Sequence, residues 1–186
     1  MNNYDFLLSA DNSLNRPLYQ SYRIGTTNGF MYAGEYPGDR DIEIAKNKIK
    51  QLLDFGIRSF VDLTEEGELC PYRQLLPEGI NYLRFPIIDQ FIPNSLESVQ
   101  LLLTQIEEMQ KQNGPVYVHC WGGVGRTGTI VGCLLAHFMK HPSLETVLTS
   151  LRSQFNMMPK SSYRITPENE IQEGFIRIYI DNCCNN

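Results

Sequence analysis

The chain has 186 residues, of which 42% are hydrophobic and 11% aromatic, enough apolar material for a single globular domain with its own core. Sixteen Lys and Arg against 21 Asp and Glu leave a net charge of −5, which argues against nucleic acid and against an anionic membrane surface as partners. No apolar run approaches the ~18 residues of a membrane span, Met1–Asp5 lacks a basic secretory start, and five cysteines, an odd number, fit a reducing, cytoplasmic compartment.

Residues 1–20 show no periodic pattern and are expected to be loosely organised, 21–182 to form the domain, and 183–186 to be a short polar tail carrying Cys183 and Cys184. Tyr22–Ala33 reads as a β-hairpin around Asn28-Gly29. Asp39 is placed to cap a helix that runs through Asp54 and stops at Gly56, and Ile57–Leu63 is a β-rich run. Ile80–Phe85 is a further strand, and Asn94 with Glu97 makes a capping box for a helix reaching about Gln112. Val116-Tyr117-Val118 reads as a short central strand, followed by a helix over Thr127–Lys140 that is apolar almost all round and therefore expected to be covered by other helices. Gly128 and Gly132 are expected to permit close packing on that helix, and Cys133 to lie in the core. Two more helices are expected, Ser143–Phe155 and Pro167–Asn182, the second with Thr166 as cap and Pro167 at its first position. Strands alternating with helices give an α/β class, with a central, mostly parallel, twisted sheet of four to five strands flanked by helices.

The segment His119-Cys120-Trp121-Gly122-Gly123-Val124-Gly125-Arg126-Thr127-Gly128 falls between the central strand and the apolar helix, at the carboxyl edge of the sheet where open α/β folds place ligand sites. A sharp turn there brings successive backbone N–H groups of Trp121–Arg126 to one point at the positive end of a helix, an anion cradle. Gly122, Gly123 and Gly125 supply the freedom to take positive φ and let the backbone approach a tetrahedral oxyanion. Arg126 offers a planar fork for two phosphoryl oxygens. Cys120 lies in the same field, which favours a thiolate and hence a nucleophile that needs no neighbouring base. His119 is expected to orient the loop carbonyls, and the Thr127 hydroxyl to steady the sulfur when it leaves phosphorus.

This segment resembles the signature loop of the cysteine-dependent protein tyrosine phosphatases: His-Cys, five residues, then Arg-Thr-Gly. A leaving alkoxide or phenolate requires a proton donor on a loop that reaches the cradle. Asp89, in Phe85-Pro86-Ile87-Ile88-Asp89-Gln90-Phe91-Ile92-Pro93-Asn94 and 31 residues before Cys120, resembles the general acid of the dual-specificity branch; the Trp-Pro-Asp of the tyrosine-specific branch is absent. Asp62, inside a strand pattern, and Asp54, at a helix end, are poorer candidates. Gln172 resembles the glutamine that orients the hydrolytic water in many relatives, with a solvated helix position as the equal alternative. Arg164 is expected on the surface, in reach of substrate at most.

The resemblance implies a phosphatase-type single domain acting through a cysteinyl-phosphate on phosphotyrosine, with or without phosphoserine and phosphothreonine, in a phosphorylated protein or peptide. Trp121 is expected at the rim, with Gly122, Gly123, Val124, Gly125 and Arg126 around the phosphoryl group. No cofactor is implied, a monomer is expected, and His119, His137, His141 and the five cysteines show no metal-ligand spacing. The variable loop positions carry no lysine, which disfavours polyphosphorylated lipids and inositols. Glu65, Glu66 and Glu68 read as a solvated acidic loop, with selection of basic peptides as the lesser alternative. A disulfide of Cys120 with Cys70 or Cys133 is a minority reading. Three alternatives stay open: a small-molecule or inositol/lipid phosphate phosphatase with the same chemistry, a catalytically silent phosphoprotein-binding module, and a rhodanese-like sulfur carrier.

Overall fold

A computed structural model describes residues 16–184. Its sheet has five strands, β1 (Ser21–Thr26), β2 (Gly29–Gly34), β3 (Ser59–Asp62), β4 (Asn81–Arg84) and β5 (Val116–His119), in the order β1-β2-β5-β3-β4. Only β1 and β2 pair antiparallel; β2–β5, β5–β3 and β3–β4 are parallel. The hairpin turns one residue earlier than expected, because Thr26 pairs with Gly29 and leaves Thr27-Asn28 as the loop, with Gly29 at φ 111°. β5 is buried along its whole length, as a central parallel strand covered on both faces must be, whereas β4 at the edge is only half-buried.

Among the described residues five α-helices cover the sheet: α1 (Ile42–Asp54), α2 (Leu96–Asn113), α3 (Gly125–Phe138), α4 (Leu144–Phe155) and α5 (Glu170–Tyr179). Because side chains alternate along a strand, β5 sends Val116 and Val118, and after them Cys120, toward the face under α2–α5, while Tyr117 and His119 turn to the other. The first face packs Ile130, Val131, Leu134 and Leu135 of α3 against Leu102, Leu103, Val147, Leu151 and Ile176. Every α3 residue from Gly125 to Ala136 is buried. At about 1.5–3 kcal/mol per fully buried aliphatic side chain, this helix is anchored far more by burial than by capping, of which it has none from a side chain. Gly132 permits the approach of α5, since a Cβ there would run into Ile176. The opposite face is smaller and aromatic: Tyr32, Tyr36, Phe60, Tyr72 and Tyr117 pack with Ile49 and Leu52 of α1.

Helix starts differ from the expected ones by one to three residues, each for a local reason. Asp41, not Asp39, accepts from the Glu43 N–H and caps α1; Ser95, not Asn94, caps α2 through the Ser98 N–H. α3 begins at Gly125, two residues before Thr127, and ends at Phe138. Thr166 and Pro167 do not open α5: the Thr166 hydroxyl is committed to the Val124 carbonyl at 2.8 Å, and Asn169 is the cap, accepting from Gln172 N–H. Cys183 and Cys184 do not project from a polar tail. They lie in a π-helical segment, Ile180–Cys184, half-buried against the core near Cys133. Of the segment 1–20, residues 1–15 lie outside the described residues; Leu18 is buried and joined to Ser21 through both its N–H and its carbonyl. Among the described residues no helix is long and apolar enough to cross a membrane, and no metal-ligating cluster of His, Cys, Asp and Glu is present.

Candidate active site

Cys120 sits one residue past β5 and Arg126 one residue into α3, so the segment between them must reverse the chain within a single short loop. Five carbonyls from His119 to Val124, all but that of Gly123, are held by hydrogen bonds. The His119 carbonyl accepts from the Leu63 N–H at 2.8 Å, Trp121 from Tyr36 N–H at 2.9 Å, Gly122 from Lys160 Nζ at 3.1 Å and Val124 from the Thr166 hydroxyl at 2.8 Å; the His119 ring meets the Cys120 carbonyl at 3.3 Å. In a trans peptide the carbonyl of one residue and the N–H of the next point in opposite directions. Pinning these carbonyls outward therefore turns the N–H groups of Cys120–Gly123 and Gly125 inward. The N-terminus of α3, which no side chain caps, adds its own unpaired N–H groups and the positive end of the helix dipole.

Of the three glycines expected to take positive φ, only Gly123 does, at 73°, and a Cβ there would meet the Gly34 carbonyl oxygen at 2.5 Å. Gly125 is required for room instead: a Cβ would stand 2.9 Å from both the Gln172 amide and the Glu168 carboxylate. Gly122 has neither constraint, its nearest neighbours to such a Cβ being 3.8 and 3.9 Å away.

Arg126 is 2% exposed and its guanidinium is held by three groups. Nη1 donates to Glu68 Oε2 at 2.8 Å and to the Ile87 carbonyl at 3.1 Å; Nη2 donates to Glu68 Oε1 at 2.7 Å. Asp89 Oδ1 forms an ion pair with Nη2 at 2.9 Å. Of the five N–H donors of an arginine, the edge formed by Nε and the second Nη2 proton is the one left without an acceptor, and Asp89 pairs with its Nη2 end. Burial works against charge on both members of the Glu68–Arg126 pair. Their mutual hydrogen bonds outweigh it, holding the Glu68 carboxyl below the usual range and the Arg126 guanidinium above it. Glu68 is thus a cavity residue that holds Arg126, although the sequence presented it as part of a solvated acidic run. Glu65 is closer to that description, its N–H accepted by Glu68 Oε2 at 3.0 Å.

His119 is fully buried, with Nε2 2.6 Å from the Tyr72 hydroxyl. Burial pushes its pKa down to about 4, so the ring is neutral at pH 7. A neutral ring donates from Nδ1 to the Cys120 carbonyl and accepts from Tyr72. Asp62 is not at the cavity: it is buried, accepting from Thr64 and Tyr82 at 2.7 Å each, and despite the burial those hydrogen bonds help hold its carboxyl below the usual range. Asp54 pairs with Lys50 on the surface. The Thr127 hydroxyl is buried without a hydrogen-bond partner, one of two such side-chain atoms among the described residues, and so remains free to donate.

Gln172 is fully buried, which excludes the solvated alternative. Its Oε1 accepts from the Glu168 N–H at 3.0 Å and its Nε2 donates to the Phe91 carbonyl at 3.2 Å, so it ties the start of α5 to the loop carrying Asp89 while lying beside Gly125. Asn169 Nδ2 makes a second tie, to the Gln90 carbonyl at 2.9 Å. Gln90 itself has φ 63°, a left-handed conformation rare outside glycine, directly after Asp89.

Cys120, Arg126, Glu68, Asp89, Trp121 and Lys160 line one cavity of about 1100 Å³, whereas His119, Thr127 and Gln172 lie behind its wall. Cys120 is 4% exposed at its floor and Trp121 62% exposed at its mouth. Lys160, from the short 3-10 turn Pro159–Ser162, supplies the cation that the loop sequence itself lacks; burial lowers its pKa against the pull of Glu35, 3.8 Å away. Arg164 also lines the cavity and pairs with Glu168. All five cysteines are free; Cys70 is exposed on the same cavity wall, while Cys133 is buried on α3.

Residues 40–173 match the family model described as Swiss Army Knife protein, DSP-PTPase phosphatase domain. The chain is 33% identical over 138 residues to putative tyrosine phosphatase 067L of Invertebrate iridescent virus 3, a match over 70% of this chain and 56% of that protein. A structure of kinase associated phosphatase with serine in place of its catalytic cysteine superposes with a TM-score of 0.70 at 19% identity, over 89% of this chain and 96% of the other. The active form of the phosphatase Tk-PTP gives 0.62 at 23% identity, over 80% and 90%; at such identities these two likenesses speak for the fold. The chain therefore belongs to the cysteine-based protein tyrosine phosphatase superfamily, in its dual-specificity-type branch.

Proposed function

We propose that this protein hydrolyses phosphotyrosine, with or without phosphoserine and phosphothreonine, in protein or peptide substrates through a cysteinyl-phosphate. The observation that carries the proposal is the set of outward-held carbonyls that turns the loop N–H groups onto Cys120 beside the Arg126 guanidinium. Such preorganised donors stabilise the equatorial oxygens of a transferring phosphoryl group in a water-poor site.

In the first step the substrate phosphoryl takes the Nε/Nη2 edge of Arg126 and displaces the Asp89 carboxylate from it. The displaced Asp89 carboxylate takes up a proton from solvent and is then placed at the leaving oxygen. Cys120 Sγ attacks phosphorus in line, the S–P bond forms, the P–O bond to the leaving group breaks, and the Asp89 proton moves to that oxygen. In the second step Asp89 takes a proton from water, water oxygen bonds to phosphorus, the S–P bond breaks, and inorganic phosphate and the thiolate are released. The unpaired Thr127 hydroxyl donates to the departing sulfur. Gln172, beside Gly125 and joined to the acid loop, orients the water. His119 holds the Cys120 carbonyl and takes no proton. Glu68 is a positioning residue that fixes which edge of Arg126 faces the substrate. None of these steps uses a metal or an organic cofactor.

Turnover of p-nitrophenyl phosphate by the wild type, its loss in Cys120→Ser, inhibition by vanadate and indifference to EDTA are the expected results. Binding of phosphopeptide without turnover would favour the silent module, and sulfur transfer from thiosulfate to cyanide the rhodanese-like alternative. Lys160 in the cavity gives a specific reason to include inositol phosphates and phosphoinositides in the substrate panel, where hydrolysis faster than that of phosphotyrosine peptides would replace the protein-phosphatase reading. The acidic net charge and the thiol chemistry fit a monomer acting in a reducing compartment, away from nucleic acid and membrane surfaces.

A further inference from the structure

In-line attack fixes where the organic part of a substrate must go. With the phosphoryl group in the cradle and Sγ beneath it, the leaving oxygen lies opposite the sulfur, so the group it carries emerges through the cavity mouth. Two aromatic side chains stand there. Trp121 follows the nucleophile and is 62% exposed; Tyr163 follows the Pro159–Ser162 turn and is 70% exposed; both line the cavity that holds Cys120. Rings this exposed contribute little to the core, whereas nine of the 18 aromatic side chains among the described residues lie below 6% exposure.

The backbones beneath both rings are tied to the phosphate loop. The Trp121 carbonyl accepts from Tyr36 N–H at 2.9 Å, and the Tyr163 N–H donates to the Lys160 carbonyl at 3.1 Å. Lys160 in turn reaches the Gly122 carbonyl through Nζ at 3.1 Å. Trp121 is thus part of the loop itself, and Tyr163 is linked to the next residue of that loop, Gly122, through Lys160 by two hydrogen bonds, while both rings stay exposed. A planar ring leaving the cradle has two aromatic surfaces to meet, and an alkyl chain offers them far less contact area.

We infer that Trp121 and Tyr163 flank the ring of a phosphotyrosine at the mouth of the cleft, so that the site selects aryl over alkyl phosphate esters. This inference rests on the substrate class proposed above and names the residues that set its preference. Aromatic pairing of ordinary strength gives about threefold to tenfold per ring.

The test uses matched peptides that carry phosphotyrosine or phosphothreonine at one position. Tyr163→Ala should lower kcat/KM for the phosphotyrosine peptide by about threefold to tenfold and leave the phosphothreonine value within about twofold, with the loss in KM rather than kcat. Tyr163→Phe, which keeps the ring, should restore the wild-type ratio, and Trp121→Phe should lose less than Trp121→Ala. The same ratio is read by calorimetry in a Cys120→Ser background, where turnover is not needed. Equal losses on both peptides, or an unchanged ratio in the alanine variants, would overturn the inference. Selective binding without turnover in the wild type would sustain it while defeating the catalytic proposal, so the two failures are distinguishable.

Discussion

Asp89 occupies, on Arg126, ground that the substrate needs, and this has a measurable consequence for product inhibition. Nη1 is committed to Glu68 and the Ile87 carbonyl, and Nη2 to Glu68, so a phosphoryl group arriving at the Nε/Nη2 edge must move the Asp89 carboxylate from its 2.9 Å contact. The Asp89 side chain is 52% exposed, so solvent screens the pair. An ion pair of that kind is worth about 0.2–1 kcal/mol, or roughly 1.5-fold to 5-fold in an equilibrium constant. Asp89→Ala should therefore tighten competitive inhibition by inorganic phosphate by about that factor while turnover of substrates with poor leaving groups falls by roughly 10²–10⁴. Steady-state inhibition at several ionic strengths reads both quantities. Asp39→Asn, which removes a carboxylate from the same cavity with no contact to Arg126, controls for loss of charge alone and should change the phosphate constant by less. If Asp89→Ala leaves phosphate inhibition unaltered or weaker, or if Asp39→Asn tightens it equally, the carboxylate is not a competitor for that edge.

Further outcomes follow from other parts of the site. Glu68→Gln should act in the opposite sense to Asp89→Ala, weakening phosphate and raising KM, because Arg126 loses the bidentate partner that fixes its fork; a tighter phosphate constant would exclude the positioning role. His119 binds its proton with a pKa of about 4 when folded, against 6.5 in an open chain. The unfolded state thus holds more protons between those values, and stability should fall by about 3 kcal/mol as pH drops from roughly 6.5 to 4. In His119→Asn that component of the pH slope, read by urea denaturation, should vanish. Gly123→Ala should abolish activity through strain at φ 73° and collision with Gly34, seen as loss of vanadate binding in a protein that still unfolds cooperatively. The Tyr22 hydroxyl is buried without a partner, so Tyr22→Phe should be neutral or stabilising by about 1 kcal/mol, and a clear loss would mean that the hydroxyl has a bonding role.

The parts of this site that a reader of the sequence finds are those whose chemistry is local. His119–Gly128 announces itself because a cradle needs glycine, a nucleophile and a guanidinium within one turn, and Val116–Val118 shows as a buried strand because every position is apolar or aromatic. The alternation of strands and helices likewise gives the α/β class, though not the order β1-β2-β5-β3-β4, which only long-range pairing decides. Helix caps slip by one to three residues because Asp39 and Asp41, or Asn94 and Ser95, are equally able acceptors in sequence and differ only in which N–H they face. Glu68 and Lys160 stay hidden for another reason. Each gains its role from a partner 58 or 38 residues away, and a charged side chain in a loop looks solvated until the fold brings its counterpart. Gln172 is ambiguous by pattern, since an amide on a helix shows its burial only when Gly125 and the Asp89 loop close over it.

The central claim is that phosphate passes through sulfur at Cys120. Acid quenching of the enzyme during turnover of an aryl phosphate, followed by peptide mapping in a mass spectrometer, should find a phosphoryl adduct on the peptide bearing Cys120 and none in Cys120→Ser. Steady turnover with that peptide unmodified, or retained in Cys120→Ser, would contradict it.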